Sequence, residues 1–186
     1  MKKEILTDED LEYKIQIATQ TLDRNIAFVS NCDNKTSIAL TAFGVLLTLI
    51  LSDDGIQKLS SIITACLCKP QLTDCIYLGA LGISAVLTIA GIIELGRVLF
   101  PNTSGKNANK SLIFFSGIIN NKNHTKYQNC FRSMSREDLF NDLTNEIYEN
   151  AVIATRKYKQ YGTGLKLSSI GFALFVMFYL LGISFH

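Results

Sequence analysis

Three windows of the chain contain no Asp, Glu, Lys or Arg: residues 36–52, 75–93 and 167–185, of 17, 19 and 19 residues. A helix rises about 1.5 Å per residue, so roughly 20 apolar residues (about 17–25) cross a hydrocarbon layer about 30 Å thick. Each window is long enough to span, the first at the short limit. A helix buried in a soluble core is usually shorter and flanked by denser charge, so three transmembrane helices are expected. The chain averages 48% hydrophobic and 18% charged residues, against about 25% charged in an ordinary soluble domain. The distribution, more than the mean, excludes an ordinary soluble globule and a disordered chain. Two Pro, no Trp and no Gly-X-Y period exclude collagen and Pro-rich linkers. A net charge of +2 gives no reason to expect nucleic acid as a partner.

Basic residues set the expected topology. Five precede the first window: Lys2, Lys3, Lys14, Arg24 and Lys35. Two, Lys58 and Lys69, lie between the first and second windows, eleven between the second and third, and none beyond. This bias predicts an inner-membrane protein with a cytosolic N-terminus, a short outer loop, a long cytosolic segment and a last span ending outside. Lys35, Arg97 and Lys166 fall at the inner boundary, where cationic side chains can snorkel. Met1-Lys2-Lys3 is followed by Glu4, Asp8, Glu9 and Asp10, with no apolar run before residue 36. No signal peptide is expected from that pattern.

The predicted segments are 1–33, a cytosolic amphipathic helix; 34–52, the first span; 53–74, an outer loop with an amphipathic helix; 75–97, the second span; 98–134, a cytosolic connection; 135–164, a second cytosolic helix; and 165–186, the last span. In the outer loop Ile56, Leu59, Ile62, Ile63, Cys66 and Leu67 follow helical spacing. Cys66, Cys68 and Cys75 are free thiols or contain one disulfide if that side is oxidising. Cys-X-Cys plus one thiol with no nearby His is poor metal spacing, and no metal or cofactor is expected.

The first cytosolic helix is predicted to start at Thr7, with Asp10 three residues on as a capping-box variant. Leu11, Ile15, Ala18, Leu22, Asn25 and Val29 then alternate steps of four and three, a heptad-like stripe. Ser135 and Asp138 repeat the cap. Leu139, Leu143, Ile147, Ala151, Ala154, Tyr158 and Tyr161 form the second stripe. Acidic residues crowd its N-terminal half and Arg156, Lys157 and Lys159 its C-terminal half, which suits the helix macrodipole and places cations beside an anionic leaflet. Each stripe needs a partner, and the simplest is the other, giving a paired cytosolic stalk. Between them the Asn- and Lys-rich stretch 101–134 has an apolar centre too short to span, suited to a strand or helix that meets the membrane face or caps the stalk.

No catalytic constellation stands out, and an enzyme is not expected. His124 and His186 have no metal spacing, and no Walker loop, G-x-G-x-x-G or G-x-S-x-G is present. Sequons at Asn34, Asn102 and Asn123 would face the cytosol and are discounted. Thr41, Gly44 and Thr48 share one face of the first span; Ala80, Ser84, Thr88 and Gly91 share one face of the second. Small faces commonly serve packing within one chain, and alternatively an oligomer interface or a pore lining. Glu94 and Arg97, one turn apart, are expected to pair locally.

Three groups of residues resemble the transmembrane effector family of the Pycsar antiphage system. They are Asp33-Asn34-Lys35-Thr36-Ser37 entering the first span; Leu112-Ile113-Phe114-Phe115-Ser116-Gly117-Ile118 followed by Tyr127; and Glu146-Ile147-Tyr148 with Ile153-Ala154-Thr155-Arg156-Lys157-Tyr158 entering the last. The likeness extends over residues 11–182. It implies an all-α membrane protein of bacterial antiviral defence that responds to cyclic UMP or cyclic CMP made by a partner cyclase. It further implies impaired inner-membrane integrity and abortive infection. A base to stack and one phosphate suit aromatic rings and guanidinium groups. That makes Tyr127, Phe131, Arg132 and Arg136 candidate ligand contacts, with Phe114 and Phe115 more naturally packing residues. A homo-oligomer in the lipid bilayer is the expected assembly. The alternative is a constitutive scaffold that recruits a cytosolic partner through the stalk.

Overall fold

A computed structural model of the chain describes residues 7–68, 71–100, 111–121 and 123–185. Lys2, Lys3, Lys69, His186 and the Asn102 sequon lie outside these, and the side chain of Phe115 is also outside the description. Six helices follow in order: α1 Asp8–Ile50, α2 Asp53–Cys68, α3 Leu72–Leu99, α4 Phe115–Asn120, α5 His124–Arg132 and α6 Arg136–Phe185. The described residues contain no strand.

Local chemistry accounts for the ends. At α1 the Asp10 N–H donates to Thr7 Oγ1 (3.3 Å), and the Thr7 hydroxyl donates to the Asp10 carboxylate (2.6 Å). At α6 the Asp138 N–H donates to Ser135 Oγ (3.1 Å), while Asp138 accepts the Ser135 N–H (3.1 Å) and hydroxyl (2.6 Å). Those hydrogen bonds hold the Asp138 carboxyl below the usual range. Both caps are the ones the sequence spacing predicts. The α3 start is capped by a Gln71–Asp74 box. Its end is marked by Phe100, which is extended because Pro101 follows and disfavours a helical conformation before it.

The predicted boundaries at 33/34 and 164/165 fall inside continuous helices. Helix α1 carries the first stripe and residues 36–50 of the first apolar window without interruption, and α6 carries the second stripe and the third. Helices α3 and α6 are each long and apolar enough to cross a membrane. Helices α1 and α2, bent by 67° where they meet, pass the same test as a pair and raise the total to as many as three. The bend forms at Leu51–Ser52. A Cβ on Gly55 would lie 1.9 Å from the Ile50 carbonyl oxygen, so glycine is what permits this tight bend.

The chain divides into two compact units, and α1 and α6 contribute to both. The first comprises Met1–Cys32 with Pro101–Lys157. Within it Ala18 is buried, and Leu11, Ile15, Leu22, Asn25 and Val29 are half-buried, so the α1 stripe turns inward. Asn25 Nδ2 donates to the Ile147 carbonyl of α6 (3.1 Å). Leu143 and Ala154 are buried on α6, as are two charged residues the sequence stripe passes over, Glu146 and Lys157.

The second unit comprises Asp33–Phe100 with Tyr158–His186. Its centre is a close crossing of α3 and α6. Leu81, Ser84, Thr88, Gly91, Leu95 and Val98 are the buried face of α3, in strict three–four spacing. A Cβ on Gly91 would lie 2.2 Å from the Ser168 backbone nitrogen, and one on Gly171 2.5 Å from that of Thr88. Small residues let the backbones approach, the packing mode expected where lipid removes the hydrophobic drive between helices. Hydroxyls there are satisfied in place: Ser84, Thr88 and Ser168 donate to carbonyls three or four residues back at 2.7, 2.8 and 2.7 Å. Helix α2 joins this unit, with Tyr179 Oη donating to the Gly55 carbonyl at 3.4 Å. Its Ile62 and Cys66 are buried, while Ile56 and Leu67 of the predicted stripe are exposed. All five cysteines are free thiols.

Candidate functional site

The most elaborate polar arrangement outside the apolar crossing is built on residues 111–134. Ser111 is buried, and its Oγ accepts the N–H groups of Ile113 (3.2 Å) and Phe114 (3.0 Å). This turn presents the start of α4. The Leu112 N–H donates to Asp142 of α6 (2.9 Å), and the Leu112 carbonyl accepts the Tyr127 hydroxyl of α5 (3.0 Å). Tyr127 therefore ties α5 to the turn, and Asp142 ties the turn to α6. Beneath it Glu146 is 6% exposed and hydrogen-bonded to Ser111. Burial, with the neighbouring Asp142, pushes its carboxyl above the usual range, and the Ser111 bond partly offsets the rise.

These groups edge an open pocket of about 530 Å³ whose α6 wall carries Asp138, Asn141, Asp142, Asn145, Glu146 and Glu149. Four carboxylates give it a negative field, which disfavours an anionic phosphate there. Among the described residues no three His, Cys, Asp or Glu converge as a metal site. Cations lie elsewhere. Arg132 ends α5 and is exposed, and Arg136 opens α6 and pairs with Glu12 of α1 at 3.7 Å.

The sequence-derived ligand residues are thus only partly brought together. Tyr127 and Phe131 are in ring contact, with centroids 5.8 Å apart and planes 37° apart, and Arg132 adjoins Phe131 in the chain. Tyr127 has its hydroxyl committed to Leu112 and one side of its ring against Phe131, a positioning role. Phe114 is the half-buried residue preceding α4, and Phe115 begins that helix. Ser111, Asp142 and Glu146 were not singled out as site residues. The available signal was Glu146 itself, an acid at a spacing that faces inward and therefore needs a partner.

The small faces separate cleanly. Ser84, Thr88 and Gly91 are buried against α6 with Ala80 half-buried beside them, so within the chain this face serves helix packing. Thr41, Gly44 and Thr48 are exposed, and a Cβ on Gly44 would meet nothing within 4 Å. Glu94 and Arg97 are paired.

Residues of the first and third motif groups are in contact. Lys35 Nζ stands 6.0 Å from the Tyr158 ring centroid, a cation–π pair between the first and third groups. Leu112 and Tyr127 share a hydrogen bond within the second, and Ser111, next to that group, bonds Glu146 of the third. Comparison with known proteins gives the same result. The family profile described as Pycsar effector protein domain matches residues 17–183. The Pycsar effector protein GmPycTM of Gulbenkiania mobilis is 29% identical, over 80% of this chain and 82% of its own. No solved structure matches. A profile match across nearly the whole chain, with the motif residues placed against one another, identifies this protein as a member of the Pycsar transmembrane effector family.

Proposed function

We propose that the chain is a nonenzymatic effector of bacterial antiphage defence. In this reading it responds to cyclic UMP or cyclic CMP from a partner cyclase, impairs the inner membrane and aborts infection. The family match over residues 17–183 carries the reading. The proposed topology has three spans, with α1 and α2 completing the first, a cytosolic N-terminus by the positive-inside bias, and a cytosolic stalk of the α1 and α6 stripes. Arg132 and Phe131 are the proposed nucleotide contacts. Both are exposed, one offers a charge-assisted bond to phosphate and the other a stacking face, and they lie outside the acid-lined pocket. Self-association is proposed through the exposed Thr41–Gly44–Thr48 face, where a Cβ on Gly44 would meet no described residue within 4 Å.

The test is a potential-sensitive dye in cells that express the protein and receive each cyclic nucleotide. Depolarisation that depends on both protein and nucleotide supports the proposal. Unchanged potential, with the protein recovered from the membrane fraction, refutes it. A stoichiometric soluble partner recovered without any nucleotide response would favour the scaffold reading.

A further inference from the structure

The described part of the connection between α3 and α6 leaves an apolar patch on the surface. Ile119 is 75% exposed and Phe131 49%. Ile118, Ile119 and Tyr127 line one open groove, and Phe131 extends it through its ring contact with Tyr127. In water such a patch is unfavourable unless something covers it.

The charge along this stretch of the sequence is one-sided. From Glu94 to Glu137 the sequence contains no acidic residue but seven basic ones: Arg97, Lys106, Lys110, Lys122, Lys126, Arg132 and Arg136. Lys126 and Arg132 lie on α5 itself, are exposed, and make no ion pair with a described residue. Apolar side chains beside unpaired cations match a bilayer surface, with acyl chains for the first and anionic headgroups for the second. The chain also restricts the search. Helix α3, long and apolar enough to cross a membrane, ends at Leu99, and the described chain resumes at Ser111. The eleven intervening residues reach at most about 40 Å fully extended.

We propose that the α4–α5 segment docks on the anionic leaflet, with Ile119 and Phe131 entering the acyl boundary and Lys126 and Arg132 against the headgroups. This deepens the functional reading above and rests on its placement of the segment on the cytosolic side. A nucleotide using Phe131 and Arg132 must displace lipid there, which couples ligand binding to how the segment meets the bilayer.

The absence of native Trp makes a direct test available. Full-length Phe131→Trp, Tyr148→Trp and Ile89→Trp variants are reconstituted in nanodiscs of phosphatidylcholine with or without phosphatidylglycerol, each with plain or brominated acyl chains. Ile89 is exposed on α3 and reports the span; Tyr148 is exposed on α6 in the same unit as the patch. Bromine should quench Ile89→Trp in every disc. It should quench Phe131→Trp about two-fold or more only with the anionic lipid, and leave Tyr148→Trp unchanged. Adding Lys126→Glu and Arg132→Glu should abolish the Phe131→Trp quenching alone. Phe131→Trp left unquenched while Ile89→Trp is quenched overturns the docking and leaves the membrane reading standing. An emission shift of Phe131→Trp that follows protein density without quenching assigns the patch to a second copy and also overturns it. Ile89→Trp left unquenched removes the membrane reading and the docking together.

Discussion

Gly91→Ala puts a methyl group into the closest approach of α3 and α6. The added Cβ would lie 2.2 Å from the Ser168 nitrogen, 2.7 Å from its Cα and 2.8 Å from its Cβ. Ordinary van der Waals contact begins near 3.4 Å, so the backbones must part by more than an ångström at that level. Two of the three clashing atoms belong to backbone and cannot rotate away. Overpacking of this kind costs about 1–3 kcal/mol. Parting the helices also loosens the contacts of Leu95 and Thr88 one turn either side. Gly44→Ala is the control, because its Cβ meets nothing within 4 Å. Unfolding of each variant in detergent micelles, followed by helical circular dichroism against a denaturing surfactant, reads the difference. Gly91→Ala is expected to lose about 1–3 kcal/mol. Gly44→Ala should be neutral or gain up to about 1 kcal/mol from helix propensity. Ser168→Gly should not rescue Gly91→Ala, since it leaves the nearest backbone atoms in place. Equal stability of the Gly91 and Gly44 variants would refute the crossing described above.

Four other outcomes follow from the first unit and the proposed site. The raised Glu146 carboxyl favours its protonated form in the fold, so its contribution is fullest below the ordinary carboxylate range and is lost as pH rises through the folded value. Glu146→Gln should therefore match the wild type in acid and become the more stable of the two towards neutral pH, in thermal unfolding across that range. Tyr127→Phe removes the bond to the Leu112 carbonyl and should cost about 1 kcal/mol, with faster amide exchange confined to residues 111–114. Asn25→Leu loses the bond to the Ile147 carbonyl and leaves an acceptor whose helix partner remains, so surfactant denaturation should show a loss of no more than about 1.5 kcal/mol. Arg132→Ala should reduce the nucleotide-dependent dye response more than Arg136→Ala, whose guanidinium pairs with Glu12 on the surface.

Much of this architecture is legible in the sequence because its determinants are local. Capping boxes at Thr7 and Ser135 need only residues three apart, and the second and third charge-free windows, which lie on helices able to cross a membrane by themselves, need only length. The α1 stripe reads correctly because its three–four spacing is local, with Asn25 its one polar member. Helical continuity was legible on α6, where the apolar stripe runs on through Gly162 and Gly164 into the third window, and not on α1. Residues 31–35 are polar, yet the stretch contains no proline and α1 runs through it. On α6 the inward face includes Glu146 and Lys157, which a search for apolar spacing passes over; their burial depends on tertiary partners that no local rule supplies. The small faces show the same limit. Thr41–Gly44–Thr48 and Ser84–Thr88–Gly91 are equivalent as patterns, and only the position of α6 distinguishes the covered face from the open one. At the site the motif residues were visible, but the bonds from Leu112 to Asp142 and Tyr127 join residues far apart in the chain.

The central claim is that this chain converts a cyclic pyrimidine nucleotide into loss of a membrane barrier, and it is tested most directly with purified protein in dye-loaded liposomes of anionic lipid. Addition of cyclic UMP or cyclic CMP to the side carrying the α4–α5 segment is predicted to release dye, with cyclic purine nucleotides inactive and Arg132→Ala impaired. Retention of dye with both pyrimidine nucleotides, from protein shown to be folded and inserted, would contradict the account.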